Sequence, residues 1–246
     1  MHIEFIGKFY DNHSLSIVNR NIVLELYKKN TNVKIVALDS YDPTFKLDKE
    51  VVKILKQLES VENDSPDVQV RHTYPPIWNW PISDKTKVIY IQPWEYPKVP
   101  FEWQYKFETF ADALIVPSNY VSEVFSKGGL NPKDGFVVPN GYDSSLFNLK
   151  AGGSVEHLGI DSSKFNFVYV GNSQWRKGLD ILLNVWGKAF KKYDNAKLII
   201  KDNPKVYGQS NVLQEIIKMQ YKTECAEIIY LDQDLSDEEM SNVFKA

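Results

Sequence analysis

Nine short apolar runs alternate along the chain with longer amphipathic segments. The runs are rich in Val, Ile, Phe and Tyr, and several are continuous, which is typical of parallel strands covered on both faces. In order they read IEFIG, VKIVALD, VQVRHTY, KVIYIQPW, ALIVPS, GFVVPNG, NFVYVG, KLIIKD and EIIYLD. Apolar residues at helical spacing lie between many of them, as in SLSIVNRNIVLELYKK, DILLNVWGKAFKKY and NVLQEIIKMQYKT. This alternation predicts an α/β protein with parallel sheets.

The segment from Asn148 to Asn166 interrupts the alternation. It contains paired glycines, several serines and few apolar residues, and a new strand pattern follows it. We therefore predict two Rossmann-like units, residues 1–150 with about six strands and residues 151–246 with three. The last residues, SDEEMSNVFKA, begin like a helix capped by Ser236 and stop almost at once. This ending indicates an incomplete second unit in a truncated chain.

Charge and composition exclude some classes of function. The 246 residues carry a formal net charge of −3, which argues against a nucleic-acid binder with a broad basic face. Cys225 is the only cysteine, so no internal disulfide forms and a reducing, cytoplasmic location is favoured. The N-terminus, MHIEFIGKFY, reads as a strand and not as a signal peptide, and no apolar run is long enough to span a bilayer. Peripheral contact with a membrane stays open.

The stretch FVYVGNSQWRKGLDILLNVW places two cations where a strand turns into a helix. Arg176 and Lys177 precede Gly178, and a helix N-terminus suits an anion because its N–H groups are unpaired. The arrangement indicates a diphosphate site, and a solvated loop with surface cations is the alternative. Neither the P-loop pattern nor G-x-G-x-x-G occurs.

This junction and several other segments resemble family 4 glycosyltransferases of the GT-B fold. GNSQWRKGLDILL is similar to the start of their C-terminal domain, VVPNGYDSSLF to the segment before the linker, and ADALIVPSNYVSEVFSKGGL to the strand and helix before that. RHTYPPIWNWP and IQPWEYPKVPFEW resemble loops of a subgroup rich in His, Pro and Trp. The resemblance implies two Rossmann-like domains facing across a cleft, with the acceptor mainly on the first and a nucleotide-sugar donor mainly on the second. It also implies retention of anomeric configuration with neither a cofactor nor a metal ion.

The resemblance assigns roles to residues of the second unit and of the first loop. Lys177 matches the diphosphate lysine of the family. The family often has a second cation just after the strand glycine, Gly171, but Asn172 stands there, and Arg176 is expected to compensate. Gly7, in the first strand-to-helix loop, stands where the family has a glycine pair. The resemblance implies that Gly7, Gly171 and Asn172 also bind the donor diphosphate. The acidic E-x7-E segment of the family is not reached before the chain stops.

Five further positions complete the predicted site. His72 and Glu95 follow strands and are expected to be catalytic, toward the sugar or the acceptor hydroxyl, with a capped loop histidine and a partly buried structural glutamate as alternatives. Trp94 and the Asn140-Gly141 turn are candidates for ligand contact. A cap at Asn12 or Ser14 is predicted for the first helix, and Ser118 caps a later one. The acidic residues from Glu227 onward fit no metal-ligand spacing.

These observations together predict a glycosyltransferase. It would move a sugar from a nucleotide-diphosphate sugar to an acceptor hydroxyl, and the acceptor could be a carbohydrate, a lipid-linked molecule or a protein. Two alternatives stay open. One is a catalytically inactive module that binds a nucleotide sugar or a partner protein, which the missing acidic segment favours. The other is a GT-B relative such as a sugar-nucleotide epimerase.

Overall fold

The computed structural model of the chain describes residues 1–62, 65–130, 135–150, 152–208 and 211–246. Within these residues all nine apolar runs form strands, so the predicted α/β class with parallel sheets is confirmed. The strands are β1 (His2–Gly7), β2 (Asn32–Ala37), β3 (Val68–His72), β4 (Lys87–Ile91), β5 (Ala113–Val116), β6 (Gly135–Val137), β7 (Phe165–Val170), β8 (Ala196–Lys201) and β9 (Ile228–Leu231). The α-helices are α1 (Ser14–Lys28), α2 (Lys49–Glu59), α3 (Phe101–Phe110), α4 (Asn119–Lys127), α5 (Leu179–Ala189), α6 (Pro204–Tyr207), α7 (Val212–Thr223) and α8 (Asp237–Lys245).

The first unit, Met1–Gly141, contains a parallel sheet with the strand order β2-β1-β3-β4-β5-β6. The strand order reverses at β1 and β3: β2 lies on one side of β1, and the strands from β3 onward follow on the other side. The last residues of β1 and β3, Gly7 and His72, are register partners. In doubly wound sheets, ligands bind beyond the carboxyl ends of the strands at this switch point. The loops after β1 and β3 therefore lie where a ligand site is expected.

Two apolar cores cover this sheet. One packs α1 and α2 against β1 and β2, and the other packs α3 and α4 against β4 and β5. The buried face of α1 is unusual, because it presents Ser16, Asn19, Arg20 and Val23 at helical spacing and three of these are polar. These polar side chains are directed at the loop after β1, where most of their hydrogen bonds are made.

The second unit, Tyr142–Ala246, contains the parallel strands β7-β8-β9 in that order. The central strand, β8, is buried along its whole length. Helices α5 and α7 pack on one face of the sheet, with Leu183, Trp186 and Ile216 in the core. Helix α8 packs on the other face through Val243. The carboxyl ends of the three strands bring the loops that follow them to one edge of the sheet.

The two units divide between Gly141 and Tyr142, earlier than the predicted boundary after Lys150. The intervening residues belong to the second unit because they pack on α8. The Ser241 hydroxyl donates a hydrogen bond to the Leu146 carbonyl oxygen at 2.6 Å, and the rings of Phe147 and Phe244 lie 6.1 Å apart. The change in composition that marks Asn148–Asn166 therefore begins after the second unit has started.

The caps of α4 and α8 follow the sequence pattern, and the end of α5 does not. Ser118 caps α4, and Ser236 caps α8 with a full capping box, as predicted. Helix α5 ends at Ala189, before the end of its apolar pattern, because Phe190 is extended and its ring packs 4.3 Å from that of Trp186. None of the helices in the described part of the chain is long and apolar enough to cross a membrane.

Candidate functional site

The loop after β1 is held in place by the side chain of Asp39, which follows β2. Its carboxylate accepts three backbone N–H hydrogen bonds. They come from Phe9, Tyr10 and Asp11 and measure 2.8, 2.8 and 3.2 Å. Arg20 of α1 also holds the loop, since its guanidinium donates to the carbonyl oxygens of Phe9, at 2.8 Å, and of Asp11. These three N–H groups are therefore already occupied and cannot bind an anion.

Helix α1 is capped by His13, so the prediction of a cap at Asn12 or Ser14 was wrong. Nδ1 of His13 accepts a hydrogen bond from the N–H of Leu15 at 3.1 Å. The Asn12 side chain is engaged elsewhere, because its oxygen accepts from the Arg20 guanidinium at 3.1 Å. With Nδ1 as an acceptor, neutral His13 carries its proton on Nε2.

His72 ends β3 as predicted and is only 3% exposed. Its Nδ1 lies 2.6 Å from Oδ1 of Asn19. The Asn19 amide nitrogen donates to the carbonyl oxygens of Lys8 at 3.0 Å and of His72 at 3.3 Å, so Oδ1 is the acceptor end of the amide. The proton of neutral His72 therefore lies on Nδ1, and Nε2 presents a lone pair to which no described residue donates.

Both histidines are neutral at neutral pH. Burial, and after it the nearby His13, lower the pKa of His72 to about 4. Burial also lowers the pKa of His13, with Lys8 acting in the same direction and Asp11 opposing it. A neutral imidazole with an available Nε2 can accept a hydrogen bond or a proton from a hydroxyl group. The β1–β3 switch point is therefore chemically suited to a neutral hydroxyl.

Gly7 leaves the space that the Asn19 side chain fills. A Cβ atom at position 7 would lie 2.3 Å from Nδ2 of Asn19 and 3.0 Å from the carbonyl oxygen of His72. The arrangement of Asn19 and His72 thus depends on glycine at this position. Contact of Gly7 with a diphosphate stays a prediction.

The junction between β7 and α5 contains the two predicted cations. Arg176 and Lys177 end a single 3₁₀ turn and are both exposed. Gly178 follows with a φ of +68°, a conformation that costs glycine little and other residues more. Because the N-cap residue is glycine, α5 receives no side-chain cap from that position. The positive end of the α5 dipole thus coincides with two full positive charges.

Tyr169 connects the two ends of this junction loop. Its hydroxyl contacts the carbonyl oxygens of Asn172 at 3.0 Å and of Lys177 at 3.5 Å. Asn172 is buried, and its Oδ1 accepts from the backbone N–H of Gln174 at 3.2 Å. The backbone N–H of Gly171 donates to the neighbouring strand, at 3.0 Å from the carbonyl oxygen of Lys201. The side chain of Asn172 therefore shapes the loop, and its contact with a diphosphate stays a prediction, as does that of Gly171.

A polar cluster at the same edge, formed by Lys201, Asp202 and Tyr230, was not predicted. Asp202 follows β8 and is buried, and its carboxylate accepts from the N–H of Asn203 at 2.7 Å and from the hydroxyl of Tyr230 at 3.0 Å. Lys201 is also buried, and its ammonium donates to the Asp202 carbonyl oxygen. Burial lowers the pKa of Lys201, against the opposing effect of nearby carboxylates. The Lys-Asp pair that ends the apolar run KLIIKD is the signal that could have revealed this cluster.

The remaining predicted residues lie on exposed parts of the first unit. Glu95 is exposed, and its role toward an acceptor stays a prediction. Trp94 is half-buried and its ring lies 4.8 Å from that of Trp103 in the core. Asn140 and Gly141 are exposed, and their contact with a ligand stays a prediction. In the described part of the chain no three His, Cys, Asp or Glu side chains are grouped so that they could hold a metal ion.

Asn19, Arg20 and Asp39 were also missed by sequence reasoning. A signal existed for the first two, because they share the helical spacing of the core residue Val23 while being polar. Polar residues at core-facing positions of a helix need buried partners, which the loop after β1 provides. Asp39 gave no comparable signal, since an aspartate after a strand is ordinary turn chemistry.

The two parallel sheets and their strand order define a GT-B-like α/β fold, which confirms the predicted fold class. No protein-family model matches the sequence, and no curated protein is detectably similar to it in sequence. Solved structures do resemble it. HepE of Anabaena in complex with UDP-glucose superposes with a TM-score of 0.58 at 14% identity, over 98% of this chain and 71% of HepE.

Two other solved structures have the same fold. A glycosyltransferase of Rickettsia africae matches with a TM-score of 0.58 at 13% identity, over 99% of this chain and 70% of that one. The N-terminal domain of Candida albicans trehalose-6-phosphate phosphatase matches with a TM-score of 0.53 at 11% identity, over 98% and 74% of the two chains. At such identities the likeness establishes the fold.

Proposed function

We propose that this protein is a glycosyltransferase that moves a sugar from a nucleotide-diphosphate sugar to an acceptor hydroxyl. The observation that carries the proposal is the junction of β7 and α5, where Arg176 and Lys177 meet an α-helix N-terminus capped only by Gly178. The fold supports it, because solved structures that share this fold include HepE of Anabaena with UDP and glucose and with UDP-glucose.

In this proposal the second unit binds the nucleotide-sugar donor. As the bond between the sugar and the diphosphate breaks, negative charge grows on the leaving oxygen. The ammonium of Lys177, the guanidinium of Arg176 and the dipole of α5 stabilise that charge where they stand, without reorganisation. Because these positive groups can do what a divalent cation does elsewhere, we propose that transfer needs no metal ion.

In this proposal the first unit binds the acceptor. The lone pair on Nε2 of His72 accepts the hydrogen bond of the acceptor hydroxyl and fixes the orientation of that hydroxyl. The exposed carboxylate of Glu95 is the second candidate for this role. We further propose that the sugar keeps its anomeric configuration, in line with the resemblance of the junction to family 4 enzymes.

Nucleotide binding tests the proposal directly. The melting temperature of the protein would be measured with UDP, GDP, ADP and dTDP, for the wild type, Lys177→Ala and Lys188→Ala. Lys188 is a matched control, because it is exposed in the last turn of the same helix. We expect one nucleotide to stabilise the wild type by about 2.7 kcal/mol at a hundredfold excess over Kd. Lys177→Ala should weaken this binding at least about tenfold, or about 1.4 kcal/mol, and Lys188→Ala should not change it.

Equal stabilisation of both variants, or of none of the proteins, would contradict the placement of the diphosphate. The nucleotide that binds would then be supplied as its glucose derivative together with candidate acceptors. Release of nucleoside diphosphate with formation of a glycoside supports transfer, and binding without release supports the inactive module. Proton NMR of the product gives its anomeric configuration, and addition of EDTA tests the need for a metal ion.

A further inference from the structure

Three aromatic side chains form a small platform at the carboxyl edge of the first sheet, beside His72. Tyr74 lies two residues after the end of β3, and Trp94 and Tyr96 follow the adjacent strand β4. The ring centroids of Tyr74 and Trp94 are 6.4 Å apart, and those of Trp94 and Tyr96 are 5.3 Å apart. Tyr74 is 65% exposed and Tyr96 is 51% exposed, so two of the three rings present much of their surface to solvent.

The platform rests on rigid supports. The indole N–H of Trp94 donates to the Lys98 carbonyl oxygen at 2.9 Å, and its ring packs on the buried Trp103. The Arg71 guanidinium, buried beneath the loop after β3, donates to the carbonyl oxygens of Ile77 at 3.0 Å and of Asn79 at 2.8 Å. Exposed aromatic rings on loops fixed in this way lose little conformational entropy when a ligand binds.

We infer that this platform of Tyr74, Trp94 and Tyr96 binds the pyranose ring of a carbohydrate acceptor. A pyranose has an apolar face of C–H bonds, which stacks on aromatic rings, and a rim of hydroxyl groups. Polar groups that could meet that rim are near the platform along the chain, since His72 ends β3 two residues before Tyr74 and the exposed Glu95 stands between Trp94 and Tyr96. The rings of Tyr74 and Tyr96 are tilted by 36° and 56° to that of Trp94.

This inference rests on the proposed function and narrows its acceptor from any hydroxyl compound to a glycan. The test uses the fluorescently labelled full chain on an array of neutral glycans, followed by titration of the bound glycan. Tyr74→Ala and Tyr96→Ala remove the platform rings. Tyr105→Ala is the matched control, because Tyr105 is a 71% exposed aromatic residue on the neighbouring helix α3.

We expect the wild type to bind a subset of glycans, each platform variant to bind them at least about tenfold more weakly, and Tyr105→Ala to bind them unchanged. Circular dichroism confirms that the variants are folded, which is expected since the replaced rings are exposed. The inference is overturned if no glycan binds, or if the platform variants bind as well as the wild type. It is also overturned if the platform rings are instead needed for binding to phosphatidylglycerol vesicles.

The two experiments distinguish failure of the glycan platform from failure of the proposed transferase function. A protein that is stabilised by a nucleotide through Lys177 but binds no glycan keeps the proposed transferase activity and loses the glycan acceptor. A protein that binds a glycan through Tyr74 and Tyr96 but is not stabilised by any nucleotide keeps the platform and loses the donor site.

Discussion

The two units each place a strand-to-helix junction at the carboxyl edge of a parallel sheet, yet the two junctions are built in opposite ways. At the β1–α1 junction Asp39 occupies three backbone N–H groups, and His13 caps the helix. At the β7–α5 junction a glycine stands at the N-cap, and two exposed cations lie next to it. The first junction supplies an acceptor for its own N–H groups, and at the second we propose that the positive groups bind a ligand.

This difference shows that a helix N-terminus in such a fold is not an anion site by default. At the first junction the negative charge that the N–H groups would attract is supplied by the protein itself. What it offers instead is the neutral acceptor Nε2 of His72. We therefore propose that the two junctions have different roles, with charge stabilisation at one and hydroxyl recognition at the other.

The largest predicted effect concerns the β1–α1 junction. Gly7→Ala would bring a methyl group to 2.3 Å from Nδ2 of Asn19. Overpacking together with loss of the Asn19 hydrogen bonds should lower the free energy of unfolding of the first unit by at least about 3 kcal/mol. Urea unfolding measures this, with Gly141→Ala as the control, since a Cβ at position 141 would meet nothing within 4 Å. A loss no larger than that of the control would show that Asn19 moves aside freely.

Removal of the carboxylate at the first junction ranks next. Asp39→Ala leaves three N–H groups without their acceptor, so we expect a loss of about 2 to 3 kcal/mol in the free energy of unfolding. Hydrogen exchange at Phe9 and Tyr10 should accelerate in parallel. Asp42→Ala is the control, because the Asp42 carboxylate accepts from the N–H of Thr44, at 2.8 Å, in an exposed turn. If both substitutions cost the same, the first junction is not held in the way described.

The pH dependence of stability should be carried by His72. Its pKa is about 4 in the folded protein, below the ordinary value of 6.5, so the unfolded chain binds a proton more tightly. Stability is therefore lost as the pH falls from about 6.5 toward 4, and between pH 7 and pH 5 this histidine should account for about 2 kcal/mol. Urea unfolding at the two pH values measures the loss, and His72→Gln should remove that share. An unchanged pH dependence in His72→Gln would place the titrating group elsewhere.

The smallest predicted effect lies at the β7–α5 junction. Gly178 has a φ of +68°, and a Cβ atom there would meet nothing within 4 Å. Gly178→Ala should therefore cost only the left-handed backbone conformation, about 1 kcal/mol in the stability of the second unit. Thermal unfolding of the variant without nucleotide measures this cost. A loss as large as that expected for Gly7→Ala would mean that the second junction is also tightly packed.

The strands were predictable and the site was predictable only in part. Continuous apolar runs identify buried parallel strands, because burial on both faces leaves no polar alternation to confuse the pattern. The pattern also located the end of β3 at His72 and the junction at Lys177. It could not show that Asn19 lies against Gly7, because that contact joins a helix to a strand end and depends on tertiary packing.

The helix boundaries show the same limit. The cap at His13 was missed because imidazole is a less common cap than the neighbouring Asn12 and Ser14, and because Arg20 engages Asn12. The early end of α5 was missed because the apolar periodicity of the sequence continues beyond Ala189. In the structure Phe190 is extended, and its ring packs on that of Trp186. In both cases a side-chain contact within the same segment changed what the local preference of each residue favours.

The fit of Asn19 against Gly7 also has an evolutionary consequence. A side chain cannot be introduced at position 7 while asparagine occupies position 19. If Asn19 were lost, the proton of His72 would no longer be held on Nδ1. Among descendants of a common ancestor, these three positions should therefore change together or not at all. Residues 7, 19 and 72 would then appear in an alignment as a linked triplet, although they are distant in sequence and none of them is charged at neutral pH.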